Sequence, residues 1–146
     1  MDSSSLDHLI KTHPWGLPLL ILLGFVSVLA IGSRVSGWHG LARQYRAEGA
    51  KPRQLKNFVW GQVGWMQFRN CLAVGGDERG LYLVPNLIFR LFHPPLLIPW
   101  SEVQGRERKS VFFMKTDTFS VGDRSVRIRL LASEMEAFDS YLPPVN

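Results

Sequence analysis

"FHPPLLIPW", Phe92 to Trp100, is apolar apart from His93, carries three prolines and runs straight into the polar "SEV" of Ser101–Val103. It can be read as the start of a core strand. Pro94 and Pro95 then end the preceding connection, and Leu96 to Trp100 enter a sheet. Pro99 cannot donate a ladder hydrogen bond, which places that strand at an edge or a bulge. The rival reading is a membrane-dipping loop with "NLIFRLFHPPLL", Asn86–Leu97, as its apolar tip and Arg90 and His93 at headgroup level. The core-strand reading leads. Even so, Leu87, Ile88, Phe89, Leu91 and Phe92 are too many apolar residues for a solvated loop.

What lies upstream gives the loop reading its weight. Trp15 to Ile31, "WGLPLLILLGFVSVLAI", is 17 residues without a charge, and Gly32 and Ser33 extend it. That is the lower edge of what a helix needs to cross roughly 30 Å of hydrocarbon. Pro18 falls in the first turn, where a missing N–H costs little. The run has no polar face, unlike a surface helix of a soluble domain. A cleaved export signal is the competing reading, with Val28-Leu29-Ala30 as the cleavage site. The leader carries Asp2 and Asp7 against Lys11, whereas such a signal has a basic start.

Charge sets the expected orientation. The net charge is +5, and residues 34–56 hold Arg34, Arg43, Arg46, Lys51, Arg53 and Lys56 against Glu48 alone. Residues 57–146 carry ten basic and nine acidic side chains, so the remainder is nearly neutral. Lys and Arg beside a span favour the cytoplasmic side, which puts the amino terminus outside. A nucleic-acid surface would spread its charge over a folded face with aromatics to stack on, so no nucleic-acid partner is expected. The single cysteine, Cys71, excludes an internal disulfide and fits a reducing compartment.

Within residues 34–56, Trp38, Leu41, Ala42 and Tyr45 follow helical spacing, with Arg43 and Arg46 on the other side. This predicts a short amphipathic helix at the membrane surface or packed on the following domain. "EGAKPRQ", Glu48–Gln54, has linker composition. The candidate membrane-surface residues are Trp38, Arg43, Tyr45, Arg46, Lys51, Arg53 and Lys56, drawn to anionic headgroups by about 1 kcal/mol per basic residue.

Beyond the linker the period becomes two. In "SVRIRL", Ser125–Leu130, Val126, Ile128 and Leu130 alternate with Arg127 and Arg129. "QVGWMQF" (Gln62–Phe68), "CLAV" (Cys71–Val74), "LYLV" (Leu81–Val84), "LLIPWSEV" (Leu96–Val103), "SVFFMK" (Ser110–Lys115) and "TFSV" (Thr118–Val121) complete seven expected strands. Turns are expected at Arg69-Asn70, Gly75–Gly80, Thr116-Asp117 and Gly122–Arg124. A closing helix is expected over Ser133–Leu142, with Ser133 and Glu136 as a capping box and Met135, Phe138 and Leu142 on one face.

Seven antiparallel strands followed by one helix resembles the pleckstrin-homology-like barrel and its GRAM-type relatives. The run "CLAVG … GLYL … FR … HPPLLIPWSEV" is similar to that of small bacterial membrane proteins with one N-terminal span. The resemblance covers residues 38–142. It implies a mainly-β, seven-stranded barrel capped by a C-terminal helix, with "IPW-S-E-V" as its fourth strand. Inositide-binding relatives carry a K-x(n)-R-x-R cluster in the first hairpin. This chain departs from them, with only Arg69 at the expected first turn. "GRERKS" supplies Arg106, Arg108 and Lys109 as weak anionic-ligand candidates in a later turn, although three bases around Glu107 are more often a solvated hairpin tip.

No motif for catalysis, metal or phosphate binding is present. Cys71 sits within a strand pattern and His93 precedes two prolines, so a Cys–His nucleophile is not expected. The expected organisation is an extracytoplasmic leader (1–14), a transmembrane helix (15–33), a basic juxtamembrane helix and linker (34–56) and a pleckstrin-homology-like domain (57–146). The expected role is a non-enzymatic binding or scaffold module at the cytoplasmic face of the inner membrane, with no cofactor or metal. Its partners would be membrane lipids and a protein not identified by the sequence. An anionic-lipid surface sensor and an exported β domain are the alternatives.

Overall fold

A computed structural model describes residues 3–49 and 51–146; Asp2 of the leader and Ala50 of the linker lie outside the described residues. The chain divides into two compact units, Met1–Gly32 and Ser33–Asn146. The first contains helix α1, Ser3–Thr12, and most of helix α2, Gly16–Val35. At 1.5 Å per residue, the twenty residues of α2 extend about 30 Å. By length and composition α2 can cross a membrane. Its last turn, Ser33–Val35, belongs to the second unit.

The second unit begins with helix α3, Trp38–Tyr45, and continues as seven strands. These are β1 Leu55–Val63, β2 Met66–Asp77, β3 Gly80–Pro85, β4 Leu96–Ile98, β5 Val103–Val111, β6 Met114–Val121 and β7 Val126–Leu131. All pairings are antiparallel, in the order β4-β3-β2-β1-β7-β6-β5. Two meanders, β1 to β4 and β5 to β7, are thus joined by the β1–β7 pair. Register shifts on either side of Val59 bend β1 so that it serves both halves. The sheet curls into a half-barrel with β4 and β5 as its two edges, in keeping with the mainly-β, seven-stranded architecture expected from the sequence.

The concave face is filled by α3 and the closing helix. Trp38, Phe68, Leu72, Phe119, Ile128 and Met135 are fully or almost fully buried there. Alternation in β7 falls as the sequence predicts, with Ile128 and Leu130 inside and Arg127 outside. A second, smaller cluster of Ala73, Tyr82 and Val84 lies under Ala47, Leu55 and Leu97, so β3 is buried along its whole length. The basic linker therefore belongs to the domain. Its Ala47 N–H donates to the Pro95 carbonyl (2.8 Å), and β1 starts at Leu55, before the expected boundary at 57.

Several expected boundaries move for one physical reason. "QVGWMQF" and "SVFFMK" are hairpins whose tips, Gly64-Trp65 and Phe112-Phe113, are themselves largely apolar and so read as strand. Conversely, Arg69-Asn70 lies inside β2, with Asn70 at a bulge-like φ of 53°. Thr116-Asp117 lies inside β6, and "GRERKS" lies inside β5 rather than at a tip. Pro99 divides "LLIPWSEV" into edge strand β4, a 3₁₀ turn over Trp100–Glu102 and the start of β5. The closing helix is shorter than expected, with α4 at Ala132–Met135 followed by a 3₁₀ turn to Phe138. The Ser133–Glu136 capping box does not form. Leu131 is the N-cap residue, and the Ser133 hydroxyl points to Glu134 (3.5 Å).

Two glycines let α3 and the β1–β2 tip approach closely. Gly37 has φ of 88°, and a Cβ there would stand 2.9 Å from Val126. Gly64 has φ of 59°, and a Cβ would lie 2.1 Å from the Ser36 carbonyl oxygen. Trp38 then drops into the core with its indole N–H donating to the Pro94 carbonyl (3.0 Å). Trp38→Phe keeps an aromatic body but leaves that carbonyl without its donor. It should lower the unfolding free energy of the detergent-solubilised protein by about 1–3 kcal/mol in urea titration. Trp38→Ala should cost about 3–5 kcal/mol.

Candidate membrane-surface site

The residues expected at the membrane surface do not form one patch. Trp38 is fully buried in the core. Tyr45 is half-buried, and burial together with the neighbouring Glu102 carboxylate raises its pKa. Arg46 is exposed and pairs through its backbone with Leu96. Lys56 is ion-paired with Glu134 at 2.6 Å. Lys51 and Arg53 border a groove of about 730 Å³ whose other wall includes Asp77, Glu78 and Arg79, a mixed-charge surface.

Arg43 has different company. It lines a groove of about 660 Å³ between α3 and the β6–β7 turn, together with Arg34, His39 and Arg124. Arg34 comes from the last turn of α2, His39 and Arg43 from α3, and Arg124 from the turn after β6. Asp123 is the one acidic residue in the lining. All three arginines are exposed, and among the described residues none of them is in an ion pair. Guanidinium groups left unpaired around a concavity suit an oxyanion, and phosphate above all, through charge-assisted and often bidentate hydrogen bonds. Arg34 and Arg124 are separated by most of the chain, so only the fold brings them together. The signal available in the sequence was Arg34, the first cation after the apolar run.

The weak anionic-ligand candidates are arranged quite differently. Arg106 is buried and donates to Asp117 through Nε (2.9 Å) and Nη2 (2.7 Å), and to Asp139 (2.6 Å). Arg108 reaches the other Asp117 oxygen at 2.7 Å. Burial alone would raise the Asp117 pKa, but the hydrogen bonds from Arg108 and Arg106 outweigh it and hold the carboxyl below its usual range. Lys109 pairs with Glu107 across the surface at 3.4 Å. Arg106 and Arg108 are thus committed to an internal carboxylate.

Cys71 is half-buried in β2, and burial pushes its thiol pKa up, away from nucleophilic thiolate. Among the described residues no group of three His, Cys, Asp or Glu is placed to hold a metal ion. The chain matches no known protein-family model, no curated protein and no solved structure.

His93 is the one buried imidazole among the described residues. Its ring packs against Trp38 and Phe68 at centroid distances of 5.4 and 5.7 Å. Nδ1 lies 3.1 Å from the Phe89 carbonyl, which fixes it as the protonated nitrogen, while Nε2 has no hydrogen-bond partner. Burial depresses its pKa, and the Phe89 carbonyl offsets this in part. A depressed histidine contributes full stability above its unfolded pKa, about 6.5, and that contribution is lost as pH falls through the folded value. Unfolding free energy should therefore fall below pH 6.5 with a slope approaching ~1.4 kcal/mol per pH unit. His93→Phe should flatten that slope in urea titrations at pH 7.5 and 5.5.

Proposed function

We propose that this chain is a single-pass membrane protein of the cell inner membrane, amino terminus outside. Its β domain is a non-enzymatic binding or scaffold module at the cytoplasmic surface. The observation that carries this reading is the course of α2. It is twenty residues long and apolar, and its last turn is built into a domain whose opening stretch exposes Arg34, Arg43 and Arg46. The two meanders, the β1–β7 join and the short closing helix support the likeness to pleckstrin-homology and GRAM-type domains. Edge strand β5, ending in the fully exposed Phe112 and Phe113, offers a protein partner a strand to pair with and an aromatic tip to bury. The dispersal of the basic residues among a groove, an ion pair and a mixed-charge surface disfavours nucleic acid as partner.

A reporter pair fused after Asn146, one active only inside the cell and one only outside, tests the orientation. Activity from the inside reporter alone is the expected result. Activity outside would replace this reading with an inverted or exported domain.

The groove of Arg34, Arg43 and Arg124 favours a second role for the same module, holding an anionic lipid headgroup. Each such cation near a charged bilayer contributes about 1 kcal/mol. Replacing all three with Gln should reduce retention of phosphatidylglycerol, measured by native mass spectrometry from mixed-lipid micelles, by roughly tenfold or more. Substituting Arg53 and Lys56 in the same way should leave it little changed.

A further inference from the structure

We infer that the connection between β3 and β4 sits in the bilayer surface, with Leu87, Ile88 and Leu91 among the upper acyl chains. The inference rests on the membrane-anchored reading above. These three side chains are 78%, 67% and 67% exposed, and they occupy one 3₁₀ turn and the residues after it. They are not displaced core residues, because the same segment already commits others inward. Phe89 meets Phe68 edge-on at 6.5 Å, and His93 is buried against Trp38. The segment therefore has an inner face that locks it to the domain and an outer face of branched aliphatics with no protein cover.

Several carbonyls of the connection are satisfied within the protein. The Pro85 carbonyl accepts from Arg90 Nε (3.1 Å), the Phe89 carbonyl from His93 (3.1 Å), and the Pro94 carbonyl from Trp38 (3.0 Å). The Asn86, Leu87 and Pro95 carbonyls accept backbone N–H groups at 2.9, 3.2 and 2.8 Å. Pro94 and Pro95 have no N–H to leave open. Irregular backbone needs internal partners in hydrocarbon, so only the side chains of the turn enter the acyl region and its backbone stays at headgroup level. No acidic residue occurs from Asn86 to Trp100.

Continuity selects the bilayer as the occupant. The Phe92 carbonyl accepts a hydrogen bond from Ser33 Oγ at 2.5 Å, and Ser33 opens the last turn of α2. The apolar turn is therefore fastened to the last turn of α2. Leucine is also under-represented among the side chains that dominate protein–protein contacts. Phe112 and Phe113 serve as a contrast. They lie at the far end of β6 from Val121 and the groove turn, roughly 25 Å along an eight-residue strand.

The test uses the full chain carrying Cys71→Ser and one new cysteine at a time: Phe25→Cys, Ile88→Cys, Leu91→Cys or Phe113→Cys. Each is labelled with the polarity-sensitive fluorophore NBD. The proteins are reconstituted in phosphatidylcholine–phosphatidylglycerol vesicles with spin-labelled lipids, and far-UV circular dichroism confirms the fold of each. Shallow spin labels should quench positions 88 and 91 at least twofold more than position 113, and deep ones should quench position 25. Quenching at 88 and 91 no greater than at 113, with position 25 still quenched, overturns the inference and leaves the anchor intact. A blue-shifted but unquenched label at 88 and 91 also overturns it, because a second copy of the chain then covers the turn. An unquenched label at position 25 removes the anchor and this inference together.

Discussion

The domain depends on the burial of Trp38. Its indole touches Phe68 of β2 and His93 of the β3–β4 connection at ring distances of 5.4 Å each, and its N–H closes on the Pro94 carbonyl. One side chain, three residues after the end of the apolar helix that precedes it, thus ties together the helix exit, the first meander and the exposed aliphatic turn. A tryptophan can do this because it joins a large apolar surface to one hydrogen-bond donor, and a buried donor requires a partner. The close approach on either side requires Gly37 and Gly64, where any Cβ would meet Val126 or the Ser36 carbonyl.

The second meander is organised by charge. Asp117 is fully buried in β6 and receives both Arg106 and Arg108 from β5, with Asp139 adding a second carboxylate for Arg106. Removing one partner from such a cluster leaves an uncompensated charge, so the cluster fixes the pairing of the two strands more than it adds net stability. It also determines which cations remain available. With Arg106, Arg108 and Lys56 engaged in ion pairs, Arg34, Arg43 and Arg124 are among the guanidinium groups left outside them, and these three line the groove beside α3.

That arrangement explains why the surface residues were only partly legible. Helical spacing over Trp38–Tyr45 identified α3 correctly, yet the same spacing fits a helix face turned to lipid or to a core. Spacing shows that a stripe is apolar and not what covers it. Arg69-Asn70 and Thr116-Asp117 have the composition of turns, and only a partner strand reveals that they lie within strands. Phe112-Phe113 has the composition of a strand, and only the β5–β6 register shows it to be a tip.

The sequence by itself determined the apolar span, the basic stretch after it, the seven-strand content, the edge position of the strand before Pro99 and the inward face of Met135, Phe138 and Leu142. Each of these is local, set by length, period or a single residue's missing donor. Tertiary structure decided the rest. It divided "NLIFRLFHPPLLIPW" into an inner face that packs, an outer face that does not and a strand that enters the core. It also drew Arg34 and Arg124 into one groove and buried Arg106. Those outcomes depend on which distant chain segment supplies a hydrogen bond or fills a neighbouring volume, and a linear pattern contains no term for that.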